Sequence, residues 1–248
     1  MTLPFDLSIP AAVYMAVVVF GAAFVRGYSG FGFSALLVTA SSLVTNPLNF
    51  VGVAIICECW MTAQQWNKAA GDVDWKRVKA LMLGSLIGVP LGLWIITQIP
   101  VDAARIVVSL YVLVMCAVML HGWRIARVQG GAAHGAAGVV AGMANALGMG
   151  GLPVVTYFAA QTIGPRVFRA TLIAYFAILD FFTGILLWWH GLITWDTVMA
   201  VLGAVPMVVL GIWLGGRHFF NTDPQDFRKF AIRLLAGLAV LGFVKSLV

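Results

Sequence analysis

Two clusters of glycine, 118 residues apart, carry most of the chemistry that this 248-residue chain can offer. The first reads Arg26-Gly27-Tyr28-Ser29-Gly30-Phe31-Gly32-Phe33-Ser34. The second reads Asn145-Ala146-Leu147-Gly148-Met149-Gly150-Gly151-Leu152-Pro153. A proline closes the run after each, Pro47 and Pro165, again 118 apart. Glycine permits φ > 0 and close backbone approach, so each knot predicts a break in the backbone. A helix that starts from a break presents unpaired N–H groups and the positive end of its dipole, and such ends bind anions. Ser29, Ser34 and Asn145 add side-chain donors, while Gly30, Gly32, Gly148, Gly150 and Gly151 shape the space. The pattern predicts one small-anion site shared by both knots. The competing reading is that the glycines only let helices pack closely.

Glu58 and Asp180 lie deep within apolar runs. A carboxylate in that setting costs several kcal/mol unless it is protonated or paired, and desolvation favours the protonated form. Each is therefore a candidate for proton coupling, or else a protonated acid bonded to a neighbouring helix. Arg26 stands closest to the first knot and either binds the anion or reaches for the interface. Cys57, Cys59 and Cys116 lie in apolar stretches and lack the spacing of a zinc site, so they read as packing residues. No metal or other cofactor is expected.

The elements that position these groups are membrane helices. Hydrophobic residues make up 62% of the chain and charged ones 10%, with mean hydropathy +0.99, against about 25% charged in a soluble domain. The first ten residues contain no Lys or Arg, so the first apolar stretch is expected to be retained as a span. Ten apolar segments follow: 9–27, 32–45, 48–66, 78–97, 103–122, 135–147, 151–163, 167–190, 197–215 and 230–247. Roughly 20 residues cross a bilayer. The short segments 32–45, 135–147 and 151–163 are therefore tilted spans or re-entrant arms. The expectation is eight full spans plus re-entrant elements, or ten segments in all.

With the N-terminus outside, thirteen Lys and Arg fall on the cytoplasmic side, and only Arg105 and Lys245 fall outside, as the positive-inside rule requires. The net charge of +6 then reflects topology and calls for no nucleic acid. Five segments per half is an odd number, so the second half is expected upside down. Trp75 and Trp195, 120 apart, show this. Lys76-Arg77-Val78-Lys79 follows one and Asp196-Thr197-Val198-Met199 follows the other. The expected fold is an all-α polytopic membrane protein. It is built as an inverted-topology repeat, with a first repeat at 1–123, a cytoplasmic connector at 124–134 and a second repeat at 135–248. Inverted repeats with broken helices hold their cargo near the midplane.

A glycine knot opening each five-segment half, with a proline closing the short helix after it, resembles the sulfite exporter TauE/SafE family of membrane permeases. The resemblance covers residues 10 to 247. It implies a small inner-membrane carrier of sulfur-containing anions such as sulfite, sulfonates or related organosulfur acids, with its site at the knots. The first knot departs from relatives in lacking a run of three or more glycines, and Phe31 and Phe33 make it bulkier. Three other functions stay in view. A divalent-metal permease would need clustered ligands in the spans, and an anion channel would need a fixed pore. An intramembrane serine protease would use Gly27-Tyr28-Ser29-Gly30 with a histidine base, for which His121 and His134 are the nearest following candidates.

Overall fold

The computed structural model describes residues 3–29, 31–121 and 129–218, together with positions 233, 236, 237, 240 and 244. These residues contain nine α-helices and no strand. The helices are α1 (Ile9–Ser29), α2 (Phe33–Ser41), α3 (Asn49–Ala69), α4 (Trp75–Gln98), α5 (Val101–His121), α6 (Gly131–Asn145), α7 (Gly151–Ala159), α8 (Pro165–Trp189) and α9 (Trp195–His218). Most of the expected tenth segment and residues 124–128 of the connector lie outside the described residues. Helix α6 begins at Gly131, within the stretch read as the connector.

Among the described residues, five helices are long and apolar enough to cross a membrane: Ile9–Gly27, Trp75–Gln98, Val101–His121, Arg166–Trp189 and Trp195–Arg217. Helix α3 has 21 residues but carries Glu58 and a polar final turn. Helices α2 and α7 have nine residues each, about 13 Å of rise against a hydrocarbon core of about 30 Å. The tilted-span alternative for 32–45 and 151–163 is thereby removed; these are half-length helices. Large apolar side chains such as Val13, Val17, Leu83, Ile87, Leu110 and Leu202 are exposed on the outer faces. In a membrane they meet lipid instead of forming a soluble protein's aggregation-prone patches. Trp75 and Trp195 are the first residues of α4 and α9, and both are exposed, as amphipathic interface anchors require.

Local sequence sets the helix ends. Asp74 caps α4, accepting from the Arg77 backbone N–H at 3.1 Å while its other oxygen pairs with the Arg77 guanidinium at 2.6 Å. At the end of α2, Ser41 and Ser42 hydroxyls donate to the carbonyls of Val38 and Thr39, satisfying groups that the helix end leaves unpaired. Pro165 occupies the first turn of α8, where its missing N–H costs nothing.

The helices pack in pairs: α4 along α6, α1 along α9, and α3 against α8. Exchange the halves, so that α1 takes the place of α6 and α4 that of α9. The α4–α6 pair then falls on the α9–α1 pair, and the α3–α8 pair maps onto itself. Small residues allow the close approach. A methyl group added at Gly88 of α4 would run into the Val139 carbonyl of α6, and one at Gly142 of α6 would stand 2.9 Å from Ser85 Cα. On the other side, a methyl at Gly211 of α9 would stand 2.6 Å from the Phe20 carbonyl of α1. At the centre, Ser85 Oγ lies 3.0 Å from both the Leu81 and Gly138 carbonyls and 2.7 Å from Tyr175 Oη. That network joins α4, α6 and α8.

Gly88→Val should therefore lower the stability of the detergent-solubilised protein by about 3 kcal/mol or more, read as a fall in thermal unfolding midpoint. Gly203→Ala, where a methyl meets nothing within 4 Å, should leave the midpoint unchanged or raise it.

Candidate functional site

Each glycine knot is a helix ending, a turn, and a helix beginning. Helix α1 ends at Ser29 and α2 starts at Phe33 from Gly32, whose φ of +96° is a left-handed conformation. No side chain caps α2. In the second knot, α6 ends at Asn145, Gly148 takes φ +71°, and α7 starts at Gly151 with no side-chain cap. This knot spends part of its backbone internally. The Leu147 and Met149 N–H groups donate to the Ala144 carbonyl and that of Gly148 to the Asn145 carbonyl. Past Met149, the Leu152 N–H donates to the Met149 carbonyl.

Both knots open on one cavity. Its lining includes Arg26 from α1, Phe31, Gly32, Ser34 and Ala35 from the first knot, and Glu58 from α3. Met149, Gly151 and Leu152 of the second knot and Phe176 from α8 complete it. The lining leaves room for about one water molecule. Arg26 is 2% exposed. Its Nη1 donates to Glu58 Oε1 at 2.8 Å and its Nη2 to Thr62 Oγ1 at 3.0 Å. Its Nε has no hydrogen-bond partner. Of the two readings of Arg26, reach for the interface is excluded: the guanidinium is buried beside its counter-charge.

Asn145 reaches elsewhere. Its Nδ2 donates to Asp180 Oδ1 at 3.2 Å and to Thr183 Oγ1 at 2.9 Å. Both amide hydrogens are spent on α8, so in this structure Asn145 is not free to donate to an anion. Asp180 is fully buried, and its Oδ2 has no partner. Gly150 stands against this amide, since a methyl there would lie 2.6 Å from Asn145 Oδ1. Gly148 packs at the Val38 side chain of α2, which brings the second knot onto the first half. Gly30 and the side chain of Ser29 lie outside the described residues.

Thr62 and Thr183 were not legible as site residues. The signal that points to them is a carboxylate followed three or four positions later by a hydroxyl, on one helix face. Among the described residues, no group of three His, Cys, Asp or Glu is arranged to hold a metal ion. His134, one candidate base for a serine nucleophile, instead holds Tyr157 Oη at 2.9 Å through Nδ1.

Long apolar helices, two half-length helices that each start at a glycine turn, and a buried guanidinium lining a cavity with both turns define a multi-pass membrane protein with an internal polar site. Comparison with known proteins gives it a family. The family model for sulfite exporter TauE/SafE matches residues 15–242, and the chain belongs to that family. A curated relative from Cupriavidus necator (strain H16), described as a probable sulfite/organosulfonate exporter TauE, is 25% identical over 225 residues, covering 85% of each chain. No solved structure matches the chain significantly.

Replacing Arg26 alone strands a buried carboxylate. Arg26→Met should cost about 3–5 kcal/mol, and the double variant Arg26→Met/Glu58→Met should recover most of it. Thermal unfolding of the three proteins in detergent measures this.

Proposed function

We propose that the chain is a carrier of small sulfur-containing anions, sulfite, sulfonates or related organosulfur acids, in the cell inner membrane, working by alternating access. One observation carries the reading: both glycine knots and the Arg26 guanidinium line a single buried cavity. The description printed for the relative supplies the class of cargo; nothing in the geometry names sulfur. The anion meets Arg26 through its unpartnered Nε, the first turns of α2 and α7 with their dipole ends, and the Ser34 and Ser29 hydroxyls. Gly30, Gly32, Gly148, Gly150 and Gly151 keep the backbone close enough to take part. Asn145 acts at one remove, by holding Asp180. Glu58 and Asp180 are the candidates for proton coupling.

An oxyanion with three oxygens is larger than the one-water space in the cavity, so the halves must part to admit it. This favours a carrier over a fixed pore. The pairing of helices under exchange of the halves and the opposite charges after Trp75 and Trp195 support an inverted repeat, 1–123 and 135–248, joined by a cytoplasmic connector at 124–134. In that arrangement one half rocks against the other.

The test is flux in proteoliposomes, with sulfite and a panel of sulfonates, with and without a pH gradient. Gly32→Val and Gly150→Val should each abolish flux while the protein still inserts. At Gly32 any side chain is strained by the positive φ, and at Gly150 it meets Asn145. Full flux in both variants would overturn the reading.

A further inference from the structure

Each half carries a three-residue cluster with the same bonding pattern, a donor meeting an acid and a hydroxyl. In the first, Arg26 in the last turn of α1 donates to Glu58 and to Thr62 on α3. In the second, Asn145, the last residue of α6, donates to Asp180 and to Thr183 on α8. The donors are 119 positions apart, one more than the glycine knots, whereas the acids are 122 apart and the hydroxyls 121. The extra three residues are about one helical turn, so Asp180 keeps the same helix face one turn further along. The clusters share geometry but not charge. Arg26 balances Glu58, while Asn145 is neutral and leaves Asp180 with no bonded cation.

We infer that the halves have divided the work: the Arg26 cluster takes the anion, and Asp180 takes up one proton for each anion bound. The inference rests on the proposed anion site and assigns the coupling to one of its two candidate acids. Asp180 Oδ2 is buried and unpartnered, which leaves it open to receive a proton. An anion arriving at Arg26 adds one negative charge to a space that already holds Glu58. With Asp180 ionised, the dry interior would carry two uncompensated negative charges; with Oδ2 protonated it carries one. Low dielectric makes that difference large, so anion and proton must favour each other's binding equally. The proton comes from bulk water, forms an O–H bond at Oδ2, and leaves when the anion does.

The charged groups that reach Asp180 are Glu58 from α3 and Arg26 from α1. Cys59 from α3 and Tyr175 on α8 itself also feel its charge. Helix α6 presents the neutral Asn145. No charged group of α4 or α7 is among those that reach it.

Purified protein in detergent and weak buffer is titrated with methanesulfonate, which keeps its charge between pH 5 and 9. The affinity and the protons taken up are both recorded. The wild type should take up one proton per anion at high pH, its affinity falling about tenfold per pH unit there. Asp180→Asn should take up none and show an affinity independent of pH. Asp180→Ser, equally neutral and smaller, is a second test of the same loss, and Asp180→Glu should keep the slope. Proton uptake that survives in Asp180→Asn overturns the assignment and leaves the anion site standing. A wild type that binds no methanesulfonate overturns the anion site and this assignment with it.

Discussion

A guanidinium cannot sit inside a membrane protein without its counter-charge. Arg26 is 2% exposed, and Glu58 meets it at 2.8 Å. Removing two charges from water costs several kcal/mol per ion even after relaxation, and good geometry and further hydrogen bonds must offset that cost. Thr62 provides one such bond. The pair requires α1 and α3 to meet at one depth and one rotation, and α2, which joins them, has only nine residues to make the connection. A full-length helix at that place would carry the chain across the bilayer instead of back to the cavity. A buried ion pair is thus matched with a half-length helix and a left-handed glycine at its start.

The frame that holds this arrangement is built from small residues. Lipid provides no hydrophobic force to press helices together, so association relies on close packing and on interhelical hydrogen bonds. Helices α4 and α6 approach until backbone meets backbone at Gly84, Gly88, Gly138 and Gly142, and α1 and α9 do the same around Gly27 and Gly211. These two pairs flank the central α3–α8 contact, where both acids lie. The fold thereby separates a tightly packed scaffold from a central polar seam.

The seam is unequal across the halves: Arg26 bonds Glu58, whereas the neutral Asn145 bonds Asp180. Two arginines facing the two acids would form two ion pairs, and two asparagines would leave both acids without a bonded cation. Under the proposed coupling, one of each leaves Arg26 for the anion and Asp180 for the proton.

Hydropathy and glycine spacing were enough to identify a multi-pass helical protein, its two backbone breaks and its two deep acids. Each of these is a local property: an apolar run, a residue without a Cβ, or a charge with no water near it declares itself in one stretch of chain. The sequence also left 32–45 and 151–163 open between tilted spans and re-entrant arms, since an apolar run does not reveal where its helix stops; α2 and α7 end at Ser41 and Ala159. Which donor meets which acid was decided only in three dimensions. Arg26 and Glu58 are 32 residues apart and Asn145 and Asp180 are 35, and their meeting depends on the rotation and axial offset of whole helices. The one-turn displacement of Asp180 hides the second cluster from any register counted along the chain.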